Sequence, residues 1–235
     1  MGEVVQCIIE YNENGYLIYA ENYPGAYARG STKDEAMQKI PSEIQAYCMW
    51  AYNDNSKQRI SIESVQEQKV NVNVRDADTC ILFDRERASI SEDEYSKLKL
   101  LVLKSAWDFR KLYHSIPDKN FTNRQERKTF YGWVPLSASD VLIHTNNVTS
   151  YYVGEIGVTI KNRKDIYENR VSALKYVEAM PNYLQNKVFK GSYNELWTLR
   201  KVMRRFIWHD RIHAKSMYRL ANSRWGETIE NPFYF

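Results

Sequence analysis

The chain has few of the residues that staple or sharply turn a fold: three cysteines, six prolines and nine glycines in 235 positions. Cys7, Cys48 and Cys80 are odd in number and widely spaced. That excludes a disulfide framework and a CxxC metal or redox pair, so the three read as reduced, mostly buried thiols. Phosphate-cradling and nucleophile motifs are missing too, with no P-loop, no GxGxxG and no GxSxG, which removes the common nucleotide-dependent and serine-hydrolase mechanisms. No apolar run approaches the roughly 18 to 20 residues of a membrane span. Met1-Gly2-Glu3-Val4 lacks the basic start and apolar core of a signal peptide, so the expectation is a soluble, cytoplasmic chain with no membrane partner.

What is present argues for packed cores: 43% of residues are hydrophobic and 14% aromatic. The net charge of +4 conceals an asymmetry, since residues 1–86 carry 8 basic and 14 acidic side chains against 25 and 15 in the remainder. Two domains, 1–86 and 87–235, account for the shift. Scattered surface charge accounts for it equally, as does a basic part that attracts an anionic ligand. Lys and Arg are spread over several segments rather than gathered in a groove, so nucleic acid is not an expected partner.

The first part reads as α+β. Residues 4–11 and 16–20 are β-branched and aromatic runs joined by a turn containing Asn14-Gly15, a hairpin signal. Ser31 or Thr32 can cap a helix running to about Tyr52, with Pro41 kinking or splitting it. After a polar loop at residues 53–58, the alternating Ile60, Ile62 and Val65, then Val70, Val72 and Val74, then Ile81 and Leu82 read as further strands. The hairpin followed by YPGAYARGSTKDEA at residues 23–36 resembles the HicB-like domain over about residues 3–85. That likeness implies a ββα unit with added strands that contacts a partner protein or RNA, or serves as a dimerisation module.

The second part reads as helical. Ser91 caps a helix to about Ile116, and residues 117–134 make a long connection with aromatics at Phe121, Phe130, Tyr131 and Trp133. That connection either covers a pocket or packs its aromatics under the helices. Ser137 to Val153 and Asp165 to Gln185 form two more helices, and Ser192 with Glu195 caps the last one. The expected architecture is therefore an α+β domain followed by an all-α antiparallel four-helix bundle.

The last helix carries the chemistry. His209 and His213, two of only four histidines, stand four residues apart and so one above the other on a helix. They fall in the apolar stripe of Leu199, Val202, Phe206, Met217 and Leu220, while Arg200, Arg204, Arg211 and Lys215 take the opposite side. His144 lines up with Val141, Val148 and Tyr151 on an inward stripe of the second bundle helix, whereas His114 faces away from its helix's apolar stripe. Two core histidines hydrogen-bonded to neighbours remain the competing reading of the pair. Three inward histidines fit an open site for a divalent metal ion.

Residues 91–225 resemble the DinB/YfiT-like four-helix family, with His144 in the second-helix position and FIWHDRIHAKSMYR at 206–219 matching its HxxxH. The resemblance implies a zinc or nickel site, or a similar divalent ion, at His144, His209 and His213. It also implies transfer of a low-molecular-weight thiol, or of water, to an electrophilic small-molecule substrate. The alternative is a non-enzymatic regulatory protein working through its HicB-like part. Asp210 turns about 100° away from its neighbour His209 and is assigned neither a ligand nor a base role.

Overall fold

A computed structural model describes residues 3–56, 59–129 and 132–235. Phe130 and Tyr131 of the long connection, Lys57 and Gln58 of the polar loop, and Met1 and Gly2 lie outside the described residues.

Strands β1 (Glu3–Asn12) and β2 (Gly15–Ala20) form the expected antiparallel hairpin, with Asn12 opposite Gly15. A third strand, β3 (Tyr27–Gly30), pairs antiparallel with β2 where the sequence suggested only turns. Helix α1 (Lys33–Tyr52) begins at Thr32, whose hydroxyl accepts from the Glu35 N–H at 3.2 Å. It ends on Asn53 in a left-handed conformation, and Pro41 lies inside it without dividing it. Strand β4 (Ile60–Lys69) then returns parallel to β1, giving a mixed sheet in the order β3-β2-β1-β4.

Alternation along β1 sends Val5, Cys7 and Ile9 to the α1 side, against Ala36, Ile40 and Ile44. Ile8 and Glu10 point to the other face. There the chain from Val70 to Phe83 crosses the sheet as an irregular segment, not as the strands expected at 70–74 and 81–82. The alternating valines anchor it by burial with Ile8, Leu17 and Tyr19. Its backbone N–H groups at Cys80 and Ile81 donate to the buried Glu10 carboxylate, both at 2.9 Å, so these two groups are satisfied without a strand partner.

Helix α2 (Glu92–Ser115) starts at Ser91, whose hydroxyl accepts from the Glu94 N–H at 3.1 Å. The long connection carries a small hairpin, β5 (Lys128–Thr129) with β6 (Gly132–Trp133). Helix α3 (Ala138–Gly154) is capped reciprocally by Ser137 and Asp140. Helix α4 (Ile166–Glu178) stops before Pro181, short of the expected Gln185, and residues 183–185 form a separate helical turn. Ser192 and Glu195 do not cap the last helix. They lie beside a second small hairpin, β7 (Phe189–Lys190) with β8 (Leu196–Trp197), and Thr198 caps α5 (Leu199–Trp225) instead. Glu195 is occupied by the Lys201 ammonium at 2.8 Å.

The expected all-α four-helix bundle behind a separate α+β domain is therefore corrected. The chain is α+β, with five helices, a mixed sheet and two hairpins among the described residues, and α5 runs through its centre. Every residue from Leu199 to Arg211 is buried, including the arginines assigned to an outer face. Arg211 pairs with Glu43 of α1 at 2.6 Å, Lys215 with the same carboxylate at 3.1 Å, and Arg204 with Glu86 at 2.5 Å. The acidic excess of residues 1–86 thus meets the basic flank of α5. A helix buried on both flanks needs a layer on each side, and the β-sheet unit supplies one of them.

Contact is close enough to dictate a glycine. Gly25, in the turn between β2 and β3, has φ +97°, and a Cβ there would lie 2.5 Å from Ile207 Cγ2 and 3.0 Å from the Trp208 backbone nitrogen. The sheet unit therefore abuts α5 one residue before His209.

Candidate metal centre

Two helices bring the three histidines together. The Ser137–Asp140 cap fixes the start of α3, and its buried Asn146 is held by Asn169 of α4, whose amide donates to Asn146 Oδ1 at 2.8 Å. Asn146 itself donates to the Arg163 carbonyl at 2.7 Å. That network sets the rotation of α3 and turns His144 towards α5. On α5 the four-residue spacing stacks His209 and His213 as expected.

Their Nε2 atoms converge. His209 Nε2 lies 3.2 Å from His144 Nε2 and 3.1 Å from His213 Nε2, and the ligand atoms of all three lie within 4.8 Å of one another. Nitrogens bound at about 2.0–2.1 Å to one tetrahedral ion stand roughly 3.3 Å apart, so the spacing suits a shared ion. It is also hydrogen-bond spacing, and an unprotonated ring nitrogen facing a protonated one satisfies it. His209 Nδ1 is buried and has no hydrogen-bond partner among the described residues, so none of them supplies the kind of outer group that orients metal-bound imidazoles and fixes the tautomer.

Burial, reinforced by the neighbouring imidazoles, pushes His209 and His213 well below the usual histidine range; burial alone lowers His144. Nearby Arg205 and Arg170 add to the shift at His209, and Arg124 adds to that at His213. All three are therefore neutral, the form in which imidazole binds metal. Depressed values mean that the unfolded chain takes up more protons below about pH 6.5. The histidines' contribution to stability is then complete above that pH and lost as pH falls through the folded values. Metal-free protein is expected to unfold at lower denaturant at pH 5 than at pH 7.5. The variant with His144, His209 and His213 all replaced by Gln should lose less over the same interval. Equal losses in the two proteins would assign the acid sensitivity to other groups.

The cluster opens into a cavity of about 700 Å³. Its walls come from α3, from α5, from the irregular segment at Asp76–Thr79, and from Arg124, Arg127, Thr129 and residues 132–135 of the long connection. The connection does both things weighed for it: it walls the cavity, and Phe121 packs edge-on against Trp225 with ring centroids 5.2 Å apart. Several cations line this space with Tyr27, Trp133 and Trp208. Arg124 is among them; burial and neighbouring Arg127 hold its guanidinium below the usual range.

His114 is exposed on α2, away from the cluster. Asp210 points away from it, fully buried in an ion pair with Arg170 at 3.0 Å and accepting from Ser105 at 2.6 Å. Sequence reasoning missed Arg29, Arg205 and Arg219 as cavity residues. For Arg219 only a weak signal existed, because it stands three residues from Ser216, which itself stands three from His213. Nothing comparable was available for Arg29, which reaches the cavity from β3.

Searches against known proteins find no matching family, no matching curated protein and no matching solved structure. The HicB-like and DinB/YfiT-like likenesses rest on their motifs alone. No helix among the described residues is long and apolar enough to cross a membrane.

Proposed function

We propose that the chain is a metal-dependent enzyme in which His144, His209 and His213 hold a divalent cation such as zinc or nickel. The observation that carries this reading is the convergence of three neutral Nε2 atoms at the head of a cavity large enough for a small molecule. A divalent ion held by three imidazoles keeps a position open and acts as a Lewis acid, lowering the pKa of a thiol or water that enters it. The chain's own residues do the rest. The two helices fix the imidazoles, Arg124, Arg127 and residues 132–135 of the connection wall one side of the cavity, and Trp133 and Trp208 offer apolar surface to the substrate. No thiol of the chain competes: Cys7, Cys48 and Cys80 lie in the first 86 residues and do not line the cavity. Free thiols also suit a reducing compartment, and cytoplasmic location belongs to the same proposal. The DinB/YfiT-like motif favours a low-molecular-weight thiol over water.

The test is a screen of metal-loaded protein for conjugation of glutathione or cysteine to electrophilic alkenes and epoxides, alongside ester and amide hydrolysis. Activity is expected to disappear on chelation, to return when the ion is restored, and to be absent in His209→Ala. Equal rates with and without metal would reject the reading.

A further inference from the structure

The cavity's charges are not all spoken for. Arg127 is paired with Asp76 across the mouth, and Lys215 is held by Glu43 at 3.1 Å. Arg205 donates to the Thr79 carbonyl at 2.8 Å and lies 3.9 Å from Glu195. Arg124 and Arg219 have no carboxylate partner among the described residues. Arg124 donates only to a backbone carbonyl, that of Ser216, and exposed Arg219 makes no hydrogen bond or ion pair among the described residues.

Both lie beyond the histidines in the same cavity. His213, Ser216 and Arg219 line it at three-residue steps that wind round α5, so at about 1.5 Å per residue Arg219 lies roughly 9 Å down the helix from His213, with Arg124 tied in midway at Ser216. Each also exerts its field on the cavity wall: Arg124 on His213, and Arg219 on Tyr27. Val141, Val148 and Trp133 line the same cavity and give it apolar and aromatic wall. A half-buried arginine without a carboxylate carries a desolvation cost that an incoming anion would offset. Its fork of donors suits a planar carboxylate or a phosphate oxygen pair.

We propose that the molecule bound here is an organic anion, its charge held by Arg124 and Arg219, with an apolar or aromatic body lying between them and the histidine cluster. This rests on the cavity being the substrate site of the proposed enzyme, yet it concerns the arginines alone. Electrostatic attraction from the basic rim also speeds the anion's arrival, and more so at low salt.

The experiment is calorimetric titration of 2-naphthoate, and of its neutral counterpart 2-naphthamide, into metal-free protein kept in chelator. Naphthoate is expected to bind at least tenfold more tightly than the amide. Arg124→Gln with Arg219→Gln should weaken naphthoate at least tenfold and leave the amide unchanged, and Lys97→Gln on the exposed face of α2 should alter neither. Arg219→Gln alone replaces an exposed side chain and keeps the test open if the double variant fails to fold; at least a threefold loss is expected. Equal binding of acid and amide, or folded variants that bind naphthoate like the parent, would overturn the proposal. Because the protein is metal-free, failure of the metal site leaves this result intact, and a metal site that lacks anion selectivity would reject the anion alone.

Discussion

Replacing His209 by Ala is expected to lower the affinity for a divalent ion by at least about a hundredfold, more than loss of an outer-shell partner costs. His209 is the middle member of the cluster, with its Nε2 within 3.2 Å of one neighbour and 3.1 Å of the other. Without it, His144 and His213 belong to different helices and no third imidazole fixes their separation. The parent protein is expected to carry about one ion per chain, the number that three histidine ligands can hold. Elemental analysis of purified protein and competition against a chromogenic chelator measure both quantities. His114→Ala, on the far side of α2, should match the parent. Full occupancy in a protein lacking both His209 and His213 would refute the site.

Asp210→Ala is expected to cost about 3–5 kcal/mol of stability, because it strands the fully buried Arg170 cation. Burial pushes the Asp210 carboxyl up and the Arg170 guanidinium down, so each charge persists through the other. Arg170 also lies over the Phe206 ring, 3.7 Å from its centroid, and has no second carboxylate to turn to. Removing both charges should hurt less than removing one, since replacing a buried pair by apolar groups of similar volume is often close to neutral. Urea denaturation of Asp210→Ala beside Arg170→Met with Asp210→Leu makes the comparison. If the double variant is no more stable than the single one, the loss comes from packing or from the Ser105 hydrogen bond, and the ion-pair account fails.

The sequence disclosed most where the physics is local. Thr32 and Ser91 cap helices where they were expected to, because capping depends on residues three apart, although the same local pattern at Ser192 and Glu195 gave way to Thr198. The histidine stripes were readable for the same reason, as helical periodicity alone places His209 and His213 together and turns His144 inward. The long-range arrangements were not legible. Strand β3 is four residues long, and its pairing with β2 is a tertiary fact that no short pattern announces. Val70 to Val74 alternates like a strand, yet a carboxylate 60 or more residues earlier, Glu10, satisfies the backbone just beyond it. Above all, the arginines of α5 read as a solvated face because the acids that bury them, Glu43 and Glu86, lie more than 100 residues away. The charge asymmetry between the two parts of the chain was that pairing seen from the sequence, though it pointed equally well to two separate domains.

The central position of α5 has a consequence for how the protein is made. Apart from the tail that places Phe233 and Phe235 beside Arg211, the elements around this helix precede it in the chain, so its first residue, Leu199, leaves the ribosome after the sheet, α1, α2, α3 and α4 have all emerged. At about 5–20 residues per second, the first strand waits roughly 10–40 seconds for the helix that completes it, and α4 only roughly 1–4. Through that interval Glu43 and Glu86 lack their counter-ions, and the apolar surface meant for Phe206, Ile207 and Trp208 stays open to water. The nascent chain is thus a natural client for chaperones until α5 slides in between its two flanks.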